Sequence, residues 1–149
     1  MNLELACDLR IASDRAVFAE SFVKIGLVPD WGGFDFLTKL VGTSKAMELM
    51  MLGDRIDATE AHRLGLVNRV VPDAEFRDEA AKLARRLADG PPETLAAIKE
   101  GVYRGVDSSL PETLSYEYKT QRGLFLRDDA REGMKAFLEK RPAVYGNRD

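Results

Sequence analysis

The chain changes character near residue 73, and this change most constrains its fold. Before that point, short apolar segments with strand character, at residues 9–12, 17–19 and 66–71, alternate with helical ones. After it, apolar residues recur at helical spacing almost to the end of the chain. The pattern predicts an α/β body followed by a helical extension of the same domain.

Local signals predict where several helices begin and end. The spacing predicts helices over residues 44–52, 75–88, 93–103, 111–126 and 129–140. Gly90-Pro91-Pro92 is expected to end the second of these. Asp57 lies three residues before Glu60, a spacing typical of a helix start in which the Asp57 carboxylate accepts a hydrogen bond from the Glu60 amide. Gly65 should end that short helix.

Composition excludes several classes of partner. The chain has 149 residues, 45% of them apolar and 32% charged, which is enough for one sizeable core. Its net charge is only −3 with both signs interspersed, so neither nucleic-acid binding nor a membrane surface is predicted. No apolar run approaches the roughly 20 residues needed to span a bilayer. A single cysteine, Cys7, indicates a reducing compartment and a cytoplasmic protein, and we expect its thiol to be buried.

The candidate chemistry lies in residues 26–33, which read Gly-Leu-Val-Pro-Asp-Trp-Gly-Gly. They place one carboxylate, Asp30, beside the indole of Trp31 in a glycine-rich turn. An acid held in this way is a candidate proton carrier. The simpler interpretation is an ordinary Pro-Asp turn with a packing tryptophan. His62 has no cluster of cysteines, histidines or acids around it in the sequence, so no metal site is predicted.

Several segments in a fixed order carry a family resemblance. They are residues 2–13 (NLELACDLRIAS), 25–33 (IGLVPDWGG), 65–72 (GLVNRVVP) and the tail 132–140 (EGMKAFLEK). Together they resemble the crotonase family of enoyl-CoA hydratases and isomerases. The resemblance covers essentially the whole chain, but only about the second half of a family member.

The resemblance implies a fold and an assembly. It implies an α/β crotonase-like spiral of ββα units, N-terminally truncated here, with residues 1–73 as the second part of the α/β core. Residues 74–149 would form a C-terminal helical region that builds a homotrimer, often paired into a hexamer. The substrate would be an acyl-CoA thioester, with no separate cofactor. Two backbone amides that stabilise the enolate would precede Met1, so we expect the 149 residues alone to be incomplete for catalysis.

The resemblance also assigns roles to individual residues. Hydratases carry two glutamates at the positions of Asn2 and Phe22, and neither residue here is an acid, which disfavours paired-carboxylate hydration. Asp30 matches the single acid that moves a proton in the isomerase members. The sequence looks most similar to the ring-1,2-epoxyphenylacetyl-CoA isomerase branch, and next to the Δ3,Δ2-enoyl-CoA isomerases.

Further roles follow from the same resemblance. Phe22, Pro29, Trp31 and Gly32 are expected to bind the substrate beside Asp30. Burial of Asp30 among Phe22, Trp31, Phe34 and Phe36 would make its carboxylate a stronger base. Phe137 and Lys140 match positions that reach coenzyme A on a neighbouring subunit. The competing interpretation of these two is a core aromatic and a lysine that complements the helix dipole.

Three functions remain open from the sequence. The first is an enoyl-CoA isomerase that shifts a double bond by single-acid proton transfer. The second is a different crotonase reaction, such as hydration or a dehalogenase-like attack by the aspartate on an aryl ring. The third is a non-catalytic fragment that associates through its helical tail.

Overall fold

The structure, a computed structural model, describes residues 1–146 and contains two compact units. The first unit, Met1–Ala81, has mixed α/β structure, and the second, Lys82–Asp149, is helical in its described part. The division falls inside a helix. The predicted order of an α/β body followed by helices is confirmed.

The first unit contains short strands and helices in alternation. Its elements are α1 (Asn2–Leu5), β1 (Ile11–Ser13), β2 (Val17–Phe18), a 3₁₀ turn (Ser21–Ile25), α2 (Gly33–Leu52), β3 (Ile56–Asp57), α3 (Ala58–Arg63), β4 (Arg69–Val71), a second 3₁₀ turn (Asp73–Glu75) and the start of α4 (Phe76–Ala88). β1 pairs with β4 in parallel, and β2 pairs with β3 in antiparallel. The three predicted strand regions are confirmed, whereas β3 was not predicted.

The core of the first unit is built from aliphatic side chains of both helices and strands, together with one phenylalanine. Its buried members are Leu5, Ala12, Phe18, Leu37, Ala46, Leu49, Ala58, Ala61, Leu66 and Val67. Strand alternation accounts for β2, where Val17 is exposed and Phe18 is buried.

Helix α2 is longer than the sequence predicts. It begins at Gly33 rather than near Ser44, and Gly42, with φ 75° and ψ 165°, kinks it in the middle. The predicted helix corresponds to the part after this kink. The first part was missed because it begins with glycines, which give no polar N-cap signal, and Gly32 at its N-cap makes no side-chain cap hydrogen bond.

The predicted start of α3 is confirmed. The Asp57 carboxylate accepts a hydrogen bond from the Glu60 amide at 2.8 Å. The Glu60 side chain does not return to the cap and instead accepts two hydrogen bonds from Arg63, each at 2.6 Å. After the helix, Gly65 adopts a left-handed conformation with φ 77°, which ends it as expected.

The second unit contains four helical segments in its described part. They are the end of α4 (Phe76–Ala88), α5 (Pro92–Asp107), α6 (Leu110–Phe125) and α7 (Asp128–Glu139). Gly90 and Pro91 separate α4 from α5 as predicted, and Pro92 is the first residue of α5. Ser109 and Glu112 close a capping box at the start of α6, where the Ser109 amide donates to the Glu112 carboxylate at 2.9 Å. The Tyr116 hydroxyl joins α6 to α5 by donating to the Ala97 carbonyl at 3.0 Å.

Two further expectations concern Cys7 and membranes. Cys7 is exposed, so the expectation that it is a small buried residue was wrong. It lies just after α1, which is only four residues long. Within residues 1–146, we find no helix with both the length and the apolar character that crossing a bilayer requires.

Candidate active site

The turn at residues 30–33 presents Asp30 and Trp31 at the N-terminus of α2. The Gly33 amide donates to the Asp30 carbonyl at 3.0 Å, which closes the turn. Trp31 and Gly32, its two central residues, have φ angles of 52° and 81°. Positive φ at both positions is typical of a type I′ turn. Pro29, which precedes the turn, is buried and anchors it.

The backbone of Trp31 adopts an energetically unfavourable conformation. A bulky residue with positive φ is an outlier, and the left-handed region costs roughly 1–2 kcal/mol for such a residue. The indole is 68% exposed in this chain, so burial does not compensate for that cost within the described residues. Strain of this kind is often found at functional sites.

Gly32 is required by space as well as by its positive φ. A Cβ at this position would lie 2.6 Å from the ring of Phe36. Phe36 is half-buried against the core, which restricts how far that ring can move away. Gly32 therefore fits only without a side chain, and the chain direction between Trp31 and α2 is fixed.

The expected burial of Asp30 was wrong for this chain. Asp30 is exposed, and Trp31 and Phe34 are also exposed rather than closed around it. Phe36 is directed toward the core of the first unit. The aromatic residues near Asp30 in sequence thus do not form an enclosing pocket within these residues. The carboxylate is held by its backbone and is free to meet a ligand.

Phe22 lies in the 3₁₀ turn that leads to the site. Its side chain is half-buried, and its carbonyl accepts a hydrogen bond from the Leu27 amide at 3.0 Å. Gly26, with φ 73°, reverses the chain between them. The segment that follows exposes three apolar side chains, Ile25, Leu27 and Val28. An apolar surface therefore lies on the stretch of chain between Phe22 and Asp30.

Two buried polar residues hold the turn from behind. The Asn2 side-chain nitrogen donates to the Asp30 carbonyl at 3.0 Å and to a Glu20 carboxylate oxygen at 3.2 Å. Asn2 is 5% exposed and Glu20 only 1% exposed. Burial raises the pKa of the Glu20 carboxyl, an effect that its hydrogen bond from Asn2 opposes. The Asp30 turn is therefore attached to a buried carboxyl through a single amide.

Glu20 is the functional candidate that the sequence reasoning missed. One signal could have identified it, because Glu20 lies two residues after the buried Phe18. Extended chain places alternate residues on the same face, and this places a carboxyl toward the core. Asn2 was noted only as a replacement for a hydratase glutamate, although its amide contacts the Asp30 turn directly.

Phe137 and Lys140 lie near the C-terminal end of α7, in the second unit. Both are exposed, so the interpretation of Phe137 as a core aromatic does not hold in this chain. Lys140 has φ 54° and caps α7 in a left-handed conformation. Its amide donates to the Phe137 carbonyl at 3.3 Å, which keeps the two residues within one turn.

The second unit also contains an open apolar groove. It has a volume of about 1220 Å³ and runs between α5 and α6. The apolar side chains that line it include Ile98, Val102, Leu114, Tyr118, Leu124 and Phe125. For metals, no group of three or more histidines, cysteines or acids close enough to hold an ion occurs within residues 1–146.

Comparison with known proteins gives consistent results over nearly the whole chain. The sequence profile of the enoyl-CoA hydratase/isomerase family matches residues 1–148. A probable enoyl-CoA hydratase of Rhodobacter capsulatus is 41% identical over 147 residues, which cover 99% of this chain and 57% of that protein. A probable mitochondrial enoyl-CoA hydratase of Dictyostelium discoideum is 38% identical and is covered to 53% of its length.

Solved structures agree with the sequence comparisons. A crystal structure of an enoyl-CoA hydratase from Polaromonas sp. JS666 matches with a TM-score of 0.93 and 36% identity, covering 97% of this chain and 56% of that one. An enoyl-CoA hydratase subunit I structure from Geobacillus kaustophilus matches with a TM-score of 0.92 and 44% identity, covering 99% and 57%. The predicted fold class is confirmed. The chain spans little more than half the length of these relatives.

Proposed function

The chain belongs to the enoyl-CoA hydratase/isomerase family, and on this premise we propose that it carries the proton-transferring half of an acyl-CoA isomerase site. Asp30 would be the catalytic carboxylate. The proposal concerns the whole protein, because the chain covers little more than half of its relatives. The acyl-CoA thioester would be the substrate, and no additional cofactor is proposed.

The observation that carries the proposal is the rigid and outward presentation of Asp30. Its carbonyl accepts two hydrogen bonds, from the Gly33 amide and the Asn2 side chain, while its carboxylate is exposed. The two positions that carry hydratase glutamates by resemblance are an amide, Asn2, and a phenyl ring, Phe22. Neither side chain can exchange a proton with water in the way a carboxylate does. One acid is enough for isomerisation, which takes a proton from one carbon and returns it to another.

In the proposed mechanism, the Asp30 carboxylate removes a proton from a carbon of the acyl chain next to the double bond. The electron pair that is released moves through the chain to the thioester carbonyl, giving an enolate. Aligned amide donors, which the resemblance places before Met1, would stabilise that oxygen by about 3 kcal/mol each. The same carboxyl then returns its proton to a different carbon, so the double bond has moved and Asp30 is restored.

The test is substitution of Asp30 in a full-length form of the protein. Asp30→Asn keeps the size of the side chain and removes its basicity, so 3-enoyl-CoA isomerisation should fall by about 10²- to 10⁴-fold in kcat. Asp35→Asn is the matched control, because Asp35 is an exposed acid at the start of α2 that pairs with Lys39 at 3.0 Å. Near-normal turnover of Asp30→Asn would refute the assignment.

Hydration is the second candidate, favoured by the names of the relatives. The Rhodobacter capsulatus and Dictyostelium discoideum proteins are both described as probable enoyl-CoA hydratases. Assaying the full-length protein on 2-enoyl, 3-enoyl and aryl-CoA thioesters separates the candidates. Water addition to a 2-enoyl-CoA would select hydration, and loss of halide from an aryl-CoA would select a nucleophilic role for Asp30.

We place the acyl chain beside the Asp30 turn, along Phe22, Pro29, Trp31 and Gly32. Support comes from the exposed apolar segment between Phe22 and Pro29 and from the strained, exposed indole. The Leu-Val-Pro-Asp sequence motif supports the ring-1,2-epoxyphenylacetyl-CoA isomerase branch. We therefore propose that the acyl group of the substrate bears a ring. A ring-bearing acyl-CoA that is turned over faster than a straight-chain one would support that branch.

Phe137 and Lys140 are proposed to bind coenzyme A. Both are exposed and one turn apart, which suits an aromatic surface for adenine beside a cation for phosphate. Lys140→Glu should raise the KM for the CoA substrate, whereas Lys135→Glu on the same helix serves as the control. An unchanged KM for Lys140→Glu would leave this lysine only its capping role.

We propose that the groove between α5 and α6 is a contact between subunits in a homotrimer or hexamer. Its lining is apolar, and Leu114 and Tyr118 remain more than half exposed in the single chain. Leu114→Glu should lower the mass measured by light scattering to that of a monomer. Leu138→Glu, an exposed leucine outside the groove, is the control. An unchanged mass would assign assembly to another surface.

A further inference from the structure

Asn2 and Glu20 form a buried polar pair that has more hydrogen-bond acceptors than donors when Glu20 is ionised. The Asn2 nitrogen donates to Glu20 Oε2 and to the Asp30 carbonyl. The other two oxygens, Asn2 Oδ1 and Glu20 Oε1, are buried and have no hydrogen-bond partner within residues 1–146. Both are acceptors, so the pair lacks one donor.

Ionisation of Glu20 would be energetically unfavourable at this position. A buried carboxylate needs opposite charge or several donors, and one neutral amide at 3.2 Å supplies neither in full. Three charged groups act on it. The Met1 α-ammonium favours ionisation, whereas the carboxylates of Asp30 and Glu4 oppose it. Desolvation is the largest influence and raises the pKa of the Glu20 carboxyl.

One proton would satisfy both orphaned oxygens. A carboxylic acid and a primary amide each have a donor and an acceptor side by side, and together they form two parallel hydrogen bonds. A proton on Glu20 Oε1 that is donated to Asn2 Oδ1 would join the two atoms that are left without partners. The second hydrogen of the Asn2 nitrogen remains available for the Asp30 carbonyl, where a hydrogen bond is observed.

We propose that Glu20 is held as a neutral carboxylic acid at neutral pH and, paired with Asn2 through two hydrogen bonds, positions the Asp30 turn. The acid proton fixes the orientation of the Asn2 amide. A reversed amide would place an oxygen against the Asp30 carbonyl, where two acceptors repel each other. Glu20 is thus a positioning residue that acts through Asn2, and only the consequence for catalysis rests on the proposed function of Asp30.

The direct test uses the 149-residue chain with ¹³C-labelled glutamate carboxyl groups, observed by NMR across pH. The Glu20 resonance is identified by its loss in Glu20→Gln. We expect it to remain that of a protonated carboxyl at pH 7, when the signals of exposed glutamates have completed their titration. A Glu20 signal that titrates together with those exposed glutamates would overturn the proposal.

Variants give a second, independent measurement. Glutamine has the shape of a neutral glutamic acid, so Glu20→Gln should preserve both hydrogen bonds and the position of the Gly33 amide resonance, which reports the Asp30 turn. Glu20→Ala should shift that resonance. Because the folded-state pKa of Glu20 is raised above 4.5, the wild-type chain loses stability as pH increases above that value, whereas glutamine does not ionise. The urea midpoint of Glu20→Gln should therefore rise relative to that of wild type over this pH range. If Glu20→Ala does not fold, the wild-type and Glu20→Gln measurements still test whether Glu20 is protonated and paired with Asn2. A Glu20→Gln chain with a displaced Gly33 resonance would contradict the pairing.

Kinetics of the full-length protein test the positioning role. Glu20→Ala should lower kcat about tenfold or more with little change in KM, and Glu20→Gln should restore it. An unchanged kcat in a folded Glu20→Ala enzyme would refute positioning. If Asp30→Asn retains activity while Glu20 is found to be protonated, the proposed function fails and the Asn2–Glu20 pair stands.

Discussion

The side-chain amide of Asn2 packs directly on the backbone of Gly33. A methyl group at position 33 would lie 2.6 Å from the Asn2 nitrogen and 2.8 Å from its carbon and oxygen. The same amide donates hydrogen bonds to Glu20 and to the Asp30 carbonyl, so it is held in place behind the turn. Helix α1 and the start of α2 can approach each other only because residue 33 has no side chain.

This contact predicts opposite effects for the same substitution at two helical glycines. Gly33→Ala should lower the free energy of unfolding by about 1–3 kcal/mol, because the added methyl overpacks a closed site. Gly105→Ala should raise it by about 0.5–1 kcal/mol, because a Cβ there meets no atom of residues 1–146 within 4 Å and alanine favours a helix. Urea unfolding of both variants checks the pair. Equal stability of Gly33→Ala and wild type would show that Asn2 can move aside.

Trp31→Gly should not destabilise the chain and should stabilise it by up to about 1 kcal/mol. Glycine removes the left-handed strain at φ 52°, and the exposed indole contributes little burial. Trp31→Val should destabilise, because a β-branched residue tolerates positive φ poorly. Circular dichroism in urea is the suitable measurement, since Trp31 is the only tryptophan. A less stable Trp31→Gly would indicate that the indole packs against the chain.

The ion pair of Glu132 and Arg141 predicts a stability that depends on pH. Arg141 donates to the two Glu132 oxygens at 2.6 and 2.9 Å, and the Val144 amide adds a third bond at 3.0 Å. These bonds hold the pKa of Glu132 at about 2. Because this folded-state pKa lies below the ordinary 4.5, the stabilisation is complete above 4.5 and is lost as pH falls toward 2.

Glu132→Gln should therefore lower the urea midpoint at pH 7, and the difference from wild type should shrink as pH falls from 4.5 toward 2. Glu100→Gln is the matched control, since it removes a carboxylate 2.7 Å from Arg104 in a pair that is more than half exposed. That change should have little effect at any pH because exposed pairs stabilise weakly. A difference for Glu132→Gln that persists undiminished at low pH would contradict the ionic explanation.

The cap of α3 offers a conservative comparison. Asp57→Ala removes the oxygen that accepts from the Glu60 amide and should lower the free energy of unfolding by about 1 kcal/mol. Asp57→Asn keeps an acceptor in the same place and should be close to wild type. Thermal unfolding of the two variants measures the difference. If alanine and asparagine behave alike, the Glu60 amide finds another partner.

Much of the candidate site was predictable, but its geometry was not. The Gly-Leu-Val-Pro-Asp-Trp-Gly-Gly segment indicated a turn with one acid, and the structure places Asp30 in such a turn. The expected aromatic enclosure was wrong, because exposure depends on which residues from elsewhere cover a side chain. Glu20 was missed for the same reason, since its carboxyl contacts Asn2 of α1, a residue that is distant in the sequence.

The sequence by itself determined the α/β body, the helical tail, the caps at Asp57 and Gly65, and the family. These depend on local periodicity, on turn residues and on ordered motifs, all of which are readable along the chain. Only the tertiary structure decided that Asn2 reaches across 28 residues to the Asp30 carbonyl and that Glu20 lies beside it. Hydrogen bonds between distant residues are fixed by how the helices and strands pack, and no local pattern encodes that packing.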